Sequence, residues 1–142
     1  FVDTRSLVKV YYPEKDSDTI EEHILSADNI FLSSLSVVEM SSALMKKVRN
    51  KELRKSEEML IWKTFLDDIE TEQMEMVVPD DRDYHKASDL IREFGIRHSI
   101  RTLDALQLAV ALSTGSRLFL CSDRTLSAIA EAVGMRVLTE TG

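Results

Sequence analysis

The chain has one cysteine, Cys121, so no internal disulfide can staple it, and a reducing compartment is expected. With four glycines and two prolines in 142 residues, no linker, low-complexity tract or internal repeat divides it. No apolar run nears the roughly 20 residues that cross a bilayer, and no signal-peptide pattern is visible. A cytoplasmic chain with no membrane association is the expectation. No Walker A stretch and no Gly-x-Gly-x-x-Gly is present, so nucleotide-dependent readings lack a phosphate cradle. Positive charge is short as well. Eighteen Lys and Arg stand against 25 Asp and Glu, a formal charge of −7. That is the wrong sign for broad phosphate binding, and a nucleic-acid partner would need a local basic patch, a metal or a partner subunit.

What is there describes a globular protein: 44% hydrophobic and 30% charged residues, enough chain for one domain with a real core. The chain opens on Phe1 inside a strand-like run without an initiator Met, which points to further residues ahead of it.

Periodicity places a strand end at 1–3, a short helix at 4–12 stopping before Pro13, and a helix starting at Asp16 or Ser17. A strand at 29–33 precedes a helix at about 36–49. The longest periodic segment, 52–73, reads as a helical arm or hairpin (about 50–76) with a wet face of mixed charge. Then come a strand at 75–79, a helix from Asp80 or Asp81 through Phe94 with Gly95 as its stop, and an Ala-rich helix at 103–113. A strand at 118–121, a helix at 124–133 capped by Gly134 and a strand at 135–138 complete the chain. Strands separated by helices imply parallel pairing with right-handed crossovers, hence a single three-layer α/β/α sandwich over residues 1–142.

Four acids stand out, each just after an apolar run and near a helix start: Asp3, Glu39, Asp104 and Asp123. Taken singly, each has an ordinary explanation. Ser36-x-x-Glu39 reads as a capping box, Asp3 and Asp123 as N-caps, and Asp104 as a first-turn acid after a Thr102 cap. Negative charge at such positions also complements the helix dipole by a few tenths to about 1 kcal/mol. Taken together they imply more. In an open α/β sheet, strand ends and the following helix starts form one ligand-binding edge. Carboxylates converging there would repel one another unless a cation joined them, and hard oxygen donors suit Mg²⁺. Such a site polarises a phosphoryl oxygen for in-line attack. Capping requires no convergence, so convergence is the property to test.

At these residues the chain resembles the PIN-domain ribonucleases, in particular VapC-type toxins of type II toxin–antitoxin pairs. Asp3-Thr4-Arg5-Ser6-Leu7-Val8-Lys9 is similar to the family's first acid and helix, and Ser36-Val37-Val38-Glu39-Met40 to its second acidic motif. Thr102-Leu103-Asp104-Ala105 leading an Ala-rich helix resembles the third, and Leu118-Phe119-Leu120-Cys121-Ser122-Asp123 the fourth. The resemblance implies a PIN-like fold around a central, mainly parallel five-stranded sheet. It also implies a Mg²⁺- or Mn²⁺-dependent endoribonuclease with Asp3, Glu39, Asp104 and Asp123 as catalytic and metal-holding acids. Thr4 and Ser122 would be supporting hydroxyls, RNA the substrate, and a homodimer with a cognate antitoxin the assembly. Gln107 stands where many relatives carry His and reads as neutral.

Arg5, Lys9, Arg97, Arg101 and Arg124 lie near these motifs, and Arg101 and Arg124 are the leading candidates for holding RNA phosphates. Lys46, Lys47, Arg49, Lys51, Arg54 and Lys55 read as a solvated helix end, with an RNA-facing arm as the alternative. Trp62 with Phe65, Leu66 and Met59 reads as core before interface, Asp80-Asp81-x-Asp83 as capping, and Cys121 as a small buried residue. His23, His85 and His98 have no zinc-like spacing. The competing function is a PIN-fold binding or regulatory module with weak or no nuclease activity, motivated by the acidic charge.

Overall fold

The computed structural model describes residues 1–142 apart from 16, 72, 141 and 142. In chain order the elements are α1 (Thr4–Tyr11), α2 (Ser17–Leu25), β1 (Phe31–Ser33), α3 (Leu35–Arg49), α4 (Lys55–Glu70), β2 (Glu75–Val77), α5 (Asp81–Phe94), α6 (Thr102–Ser113), β3 (Leu118–Leu120), α7 (Arg124–Ala132) and β4 (Arg136–Leu138). From the first helix on the order matches the sequence reading, with shorter strands, whereas the strand expected at 1–3 is reduced to a single bridge at Val2. Asp16, the alternative start of the second helix, lies outside the described residues.

The strands pair in parallel, as their helical crossovers require. β1 lies on β2 with Leu32 opposite Met76, and β3 on β4 with Phe119 opposite Val137. Residues 1–3 run between the two pairs: Val2 N–H donates to Phe31 O at 3.0 Å, and Asp3 N–H to Leu120 O at 3.0 Å. These residues make only an isolated parallel bridge, Val2 to Leu120. In place of the expected five-stranded sheet, the described residues form two two-stranded pairs, with residues 1–3 linked to β3 by that bridge and to β1 by the Val2–Phe31 hydrogen bond, because so short a run of extended chain pairs at one residue only.

Alternation along the strands puts successive side chains on opposite faces. Phe1 and Phe119 enter one core with Leu90 of α5, Leu108 of α6 and Ile129 of α7. Val2, Leu32 and Leu120 enter the other with Leu7 of α1, Ile20 of α2, Leu44 of α3 and Phe65 of α4. Helices thus cover both faces of the strands. α6 is apolar nearly all round, and Ala105 through Ala111 are all buried, which its small Ala side chains allow at close helix–helix approach. Asp80 caps α5 and Asp83 closes the capping box, so this acidic run serves the helix start.

The arm residues divide by face. Phe65 is fully buried, with Tyr11 packed edge-on at 5.5 Å and Trp62 at 5.7 Å, whereas Met59 is 61% exposed. Lys47, in the basic stretch, is turned inward: it pairs with Glu14 at 2.6 Å and lies 4.1 Å over the Tyr12 ring.

Candidate functional site

Asp3 and Asp123 follow strand-like runs and N-cap the helices that leave them. Asp3 Oδ1 accepts from the Ser6 amide at 2.8 Å, and Asp123 Oδ1 from the Leu126 amide at 2.9 Å. Both capping expectations hold. Each cap uses one oxygen and leaves the second for other partners. Asp3 Oδ2 receives the Cys121 thiol at 3.3 Å. Burial pushes the Asp3 carboxyl up to about 6, and the hydrogen bonds from Ser6 and Cys121 and the charge of Arg5 only partly offset it. Burial, and then the Asp3 charge, push the Cys121 thiol well up, so it is a buried spectator and no nucleophile.

Glu39 departs from its ordinary explanation. α3 starts at Leu35 with Ser34 as its N-cap, so Ser36 lies inside the helix and the capping box does not form. Glu39 instead turns inward. Its Oε1 accepts from Gln107 Nε2 at 2.6 Å and from Thr4 Oγ1 at 3.0 Å. Gln107 Nε2 also reaches Thr4 Oγ1 at 3.0 Å, and Thr4 Oγ1 lies 2.9 Å from Ser36 Oγ. Ser36 and Gln107 are buried, and this knot ties α1, α3 and α6 together. Gln107 Oε1 is buried and has no hydrogen-bond partner among the described residues. Gln107, read as neutral, is thus part of the site. The signal was its position three residues after Asp104, which puts both on one helix face.

Asp104 lies in the first turn of α6, whose N-cap is Arg101 and not Thr102. Arg101 Nε donates to Asp104 Oδ2 at 2.8 Å, and its Nη2 lies 3.8 Å from Asp123 Oδ2. Arg5 Nη1 donates to the same Asp123 oxygen at 3.2 Å. The hydrogen bond and charge of Asp104, with smaller contributions from Asp123 and Glu39, hold the Arg101 guanidinium above its ordinary value.

Asp3, Glu39, Asp104 and Asp123 all line one cavity of about 410 Å³, together with Thr4, Arg5, Lys9, Arg101 and Gln107. Ser122 and Arg124 are not among its lining residues. Ser122 Oγ instead lies 2.9 Å from Ser6 Oγ, and Arg124 is exposed at the start of α7. The oxygen donors on this shared cavity suit a hard divalent cation in chemistry. As the side chains stand, no three His, Cys, Asp or Glu residues among the described ones close on a common ion position. Guanidinium groups occupy the Asp104 and Asp123 oxygens instead.

The sequence pattern of the PIN domain family matches residues 1–132, a span that holds all four acids. The chain belongs to the PIN domain family. PIN domains have an α/β fold, are generally nucleases and typically use divalent metal ions. No match is found among curated proteins. In this PIN domain no helix among the described residues is long and apolar enough to cross a membrane.

Proposed function

We propose that this PIN domain is a Mg²⁺- or Mn²⁺-dependent endoribonuclease that cleaves RNA phosphodiester bonds and serves as the VapC-type toxin of a toxin–antitoxin pair. The observation that carries this reading is the meeting of Asp3, Glu39, Asp104 and Asp123, from four separate stretches of chain, on one cavity. Helix capping explains Asp3 and Asp123 only in part and Glu39 not at all.

In this reading Asp3, Glu39, Asp104 and Asp123 would together hold the ion and its waters. Thr4 and Gln107 keep Glu39 turned into the cavity, and Ser122 supports the first turn of α1 through Ser6. When bound, a divalent cation supplies polarisation of the phosphoryl oxygen and activation of the attacking water. Arg101 and Arg5 answer the charge of the RNA backbone at the cavity mouth, and Arg124 extends that contact outward. The net charge of −7 makes such local cations necessary.

The reading extends to residues 1–142 as one cytoplasmic unit with α4 in the arm at about 50–76, to homodimerisation, and to a cognate antitoxin. A cavity of about 1100 Å³ near Tyr11, Ile24 and Met74 supports an antitoxin that brings basic and apolar side chains together. It carries Asp28, Asp68 and Glu75 and has no Lys or Arg among its described lining residues.

Asp104→Asn tests the reading directly. It should abolish Mn²⁺-dependent cleavage of RNA and leave the melting profile cooperative. Cleavage at the wild-type rate in that variant, or in EDTA, would sink the mechanism. One observation favours a binding or regulatory module instead: no ion-ready group of three ligands stands among the described residues. That alternative requires purified protein to bind RNA or a partner with no metal-dependent turnover.

A further inference from the structure

Arg101 spans two of the four acids, Asp104 at 2.8 Å and Asp123 at 3.8 Å. It sits at the N-cap of α6 but makes no side-chain cap hydrogen bond, so helix capping does not explain its position. Its side chain is 64% exposed. An ion pair this open is weak and easily exchanged. Both carboxylates are among the four the metal reading needs, and a divalent cation binds oxygen at about 2.0–2.6 Å with twice the charge. A cation held by these carboxylates would therefore compete with the guanidinium for them.

Resting on the metal-dependent reading above, we propose that Arg101 is a metal-released clasp for RNA. In the ion-free chain its guanidinium stands in for the cation on Asp104 and Asp123. Ion binding turns those carboxylates to the metal and frees a planar fork of N–H donors at the cavity mouth, where a phosphate oxygen can accept it. Of Asp104 and Asp123, Arg5 pairs with Asp123 alone, so its share of the exchange is smaller. RNA and metal binding are then coupled through one side chain: the arginine that opposes the ion also requires the ion before it can hold the substrate.

The test uses the full chain and its Arg101→Gln variant, which removes the charge from an exposed position and costs no cap. Mn²⁺ affinity is read by paramagnetic resonance of the free ion. RNA affinity is read by anisotropy of a labelled phosphorothioate RNA strand, in EDTA and in Mn²⁺. The variant should bind Mn²⁺ about two- to fivefold more tightly, because a competing ion pair is gone. It should bind RNA like the wild type in EDTA and about three- to tenfold more weakly in Mn²⁺. Equal or weaker Mn²⁺ affinity in the variant would overturn the clasp, as would an RNA loss of the same size with and without metal. Mn²⁺ bound by neither protein is a separate outcome: it removes the metal-dependent reading itself, and the clasp with it.

Discussion

Gln107 donates its side-chain amide to Glu39 across 2.6 Å, although 68 positions separate them in the chain. A neutral donor on a carboxylate orients it without adding a charge that titrates near neutrality. Replacing Gln107 by Leu removes the hydrogen bond to a charged group, a loss of about 1.5–3 kcal/mol. It also removes the unpartnered Oε1, which offsets part of that cost. The expected result is a fall of at least about tenfold in RNA cleavage with less than about 2 kcal/mol lost in urea unfolding. A stability loss with an unchanged rate would assign Gln107 to the fold alone.

Asp3 makes stability depend on pH. Burial raises its carboxyl from 3.8 to about 6, so between those values the folded chain holds the proton more firmly than the unfolded chain. Stability therefore falls as pH rises through this window. The cost is complete above about 6, where it amounts to roughly 3 kcal/mol, and is absent below 3.8. Asp3→Asn should melt at a higher temperature than wild type at pH 8, with the difference shrinking towards pH 4, while cleavage is lost. Parallel melting curves across that range would contradict the assignment.

Mn²⁺ should stabilise the wild type and not Asp104→Asn. At about 100 times the dissociation constant, a ligand specific to the folded state contributes ~2.7 kcal/mol. Differential scanning fluorimetry with and without EDTA reads this independently of turnover. An equal shift in both proteins would place the ion elsewhere.

The basic stretch around Lys47 should prove structural. Lys47 is committed to Glu14, Glu52 and the Tyr12 ring. Lys47→Met should cost on the order of 1 kcal/mol or less and leave RNA affinity unchanged. A weakened RNA complex with unaltered stability would restore the RNA-facing arm.

On the arm, Phe65→Ala should cost about 3–5 kcal/mol, since it empties a fully buried site between Tyr11 and Trp62. Met59→Ala, at an exposed position, should fall within about 0.5 kcal/mol of wild type. Chemical denaturation of the two variants separates core from surface on this helix.

The order of elements and the four acids were legible because both depend on local pattern: apolar runs of strand length, helical periods, and an acid at each transition. Strand lengths were less so, since pairing partners set where a ladder ends, and the ladders here span three residues each. Ser36 and Glu39 matched a capping box in spacing, yet Ser34 begins the helix and both side chains turn to Thr4 and Gln107. Arg101 and Arg124 looked alike in sequence. Of the two only Arg101 lines the cavity: the start of α7 faces it through Asp123 and Leu126, and Arg124 between them is exposed and outside the lining.

By itself the sequence determined an α/β chain with acids at the ends of its strands and the starts of its helices, since backbone preference and hydrophobic period are properties of neighbouring residues. Tertiary structure decided which groups meet. Parallel pairing brings residues 1–3 beside Leu120, and the packing of α1, α3 and α6 closes Thr4, Ser36, Glu39 and Gln107 into one knot. It also decided that Arg5 and Arg101 share Asp123. Charges more than a hundred positions apart in the chain act on one another only once the fold has set them a few ångströms apart, and no local pattern carries that distance.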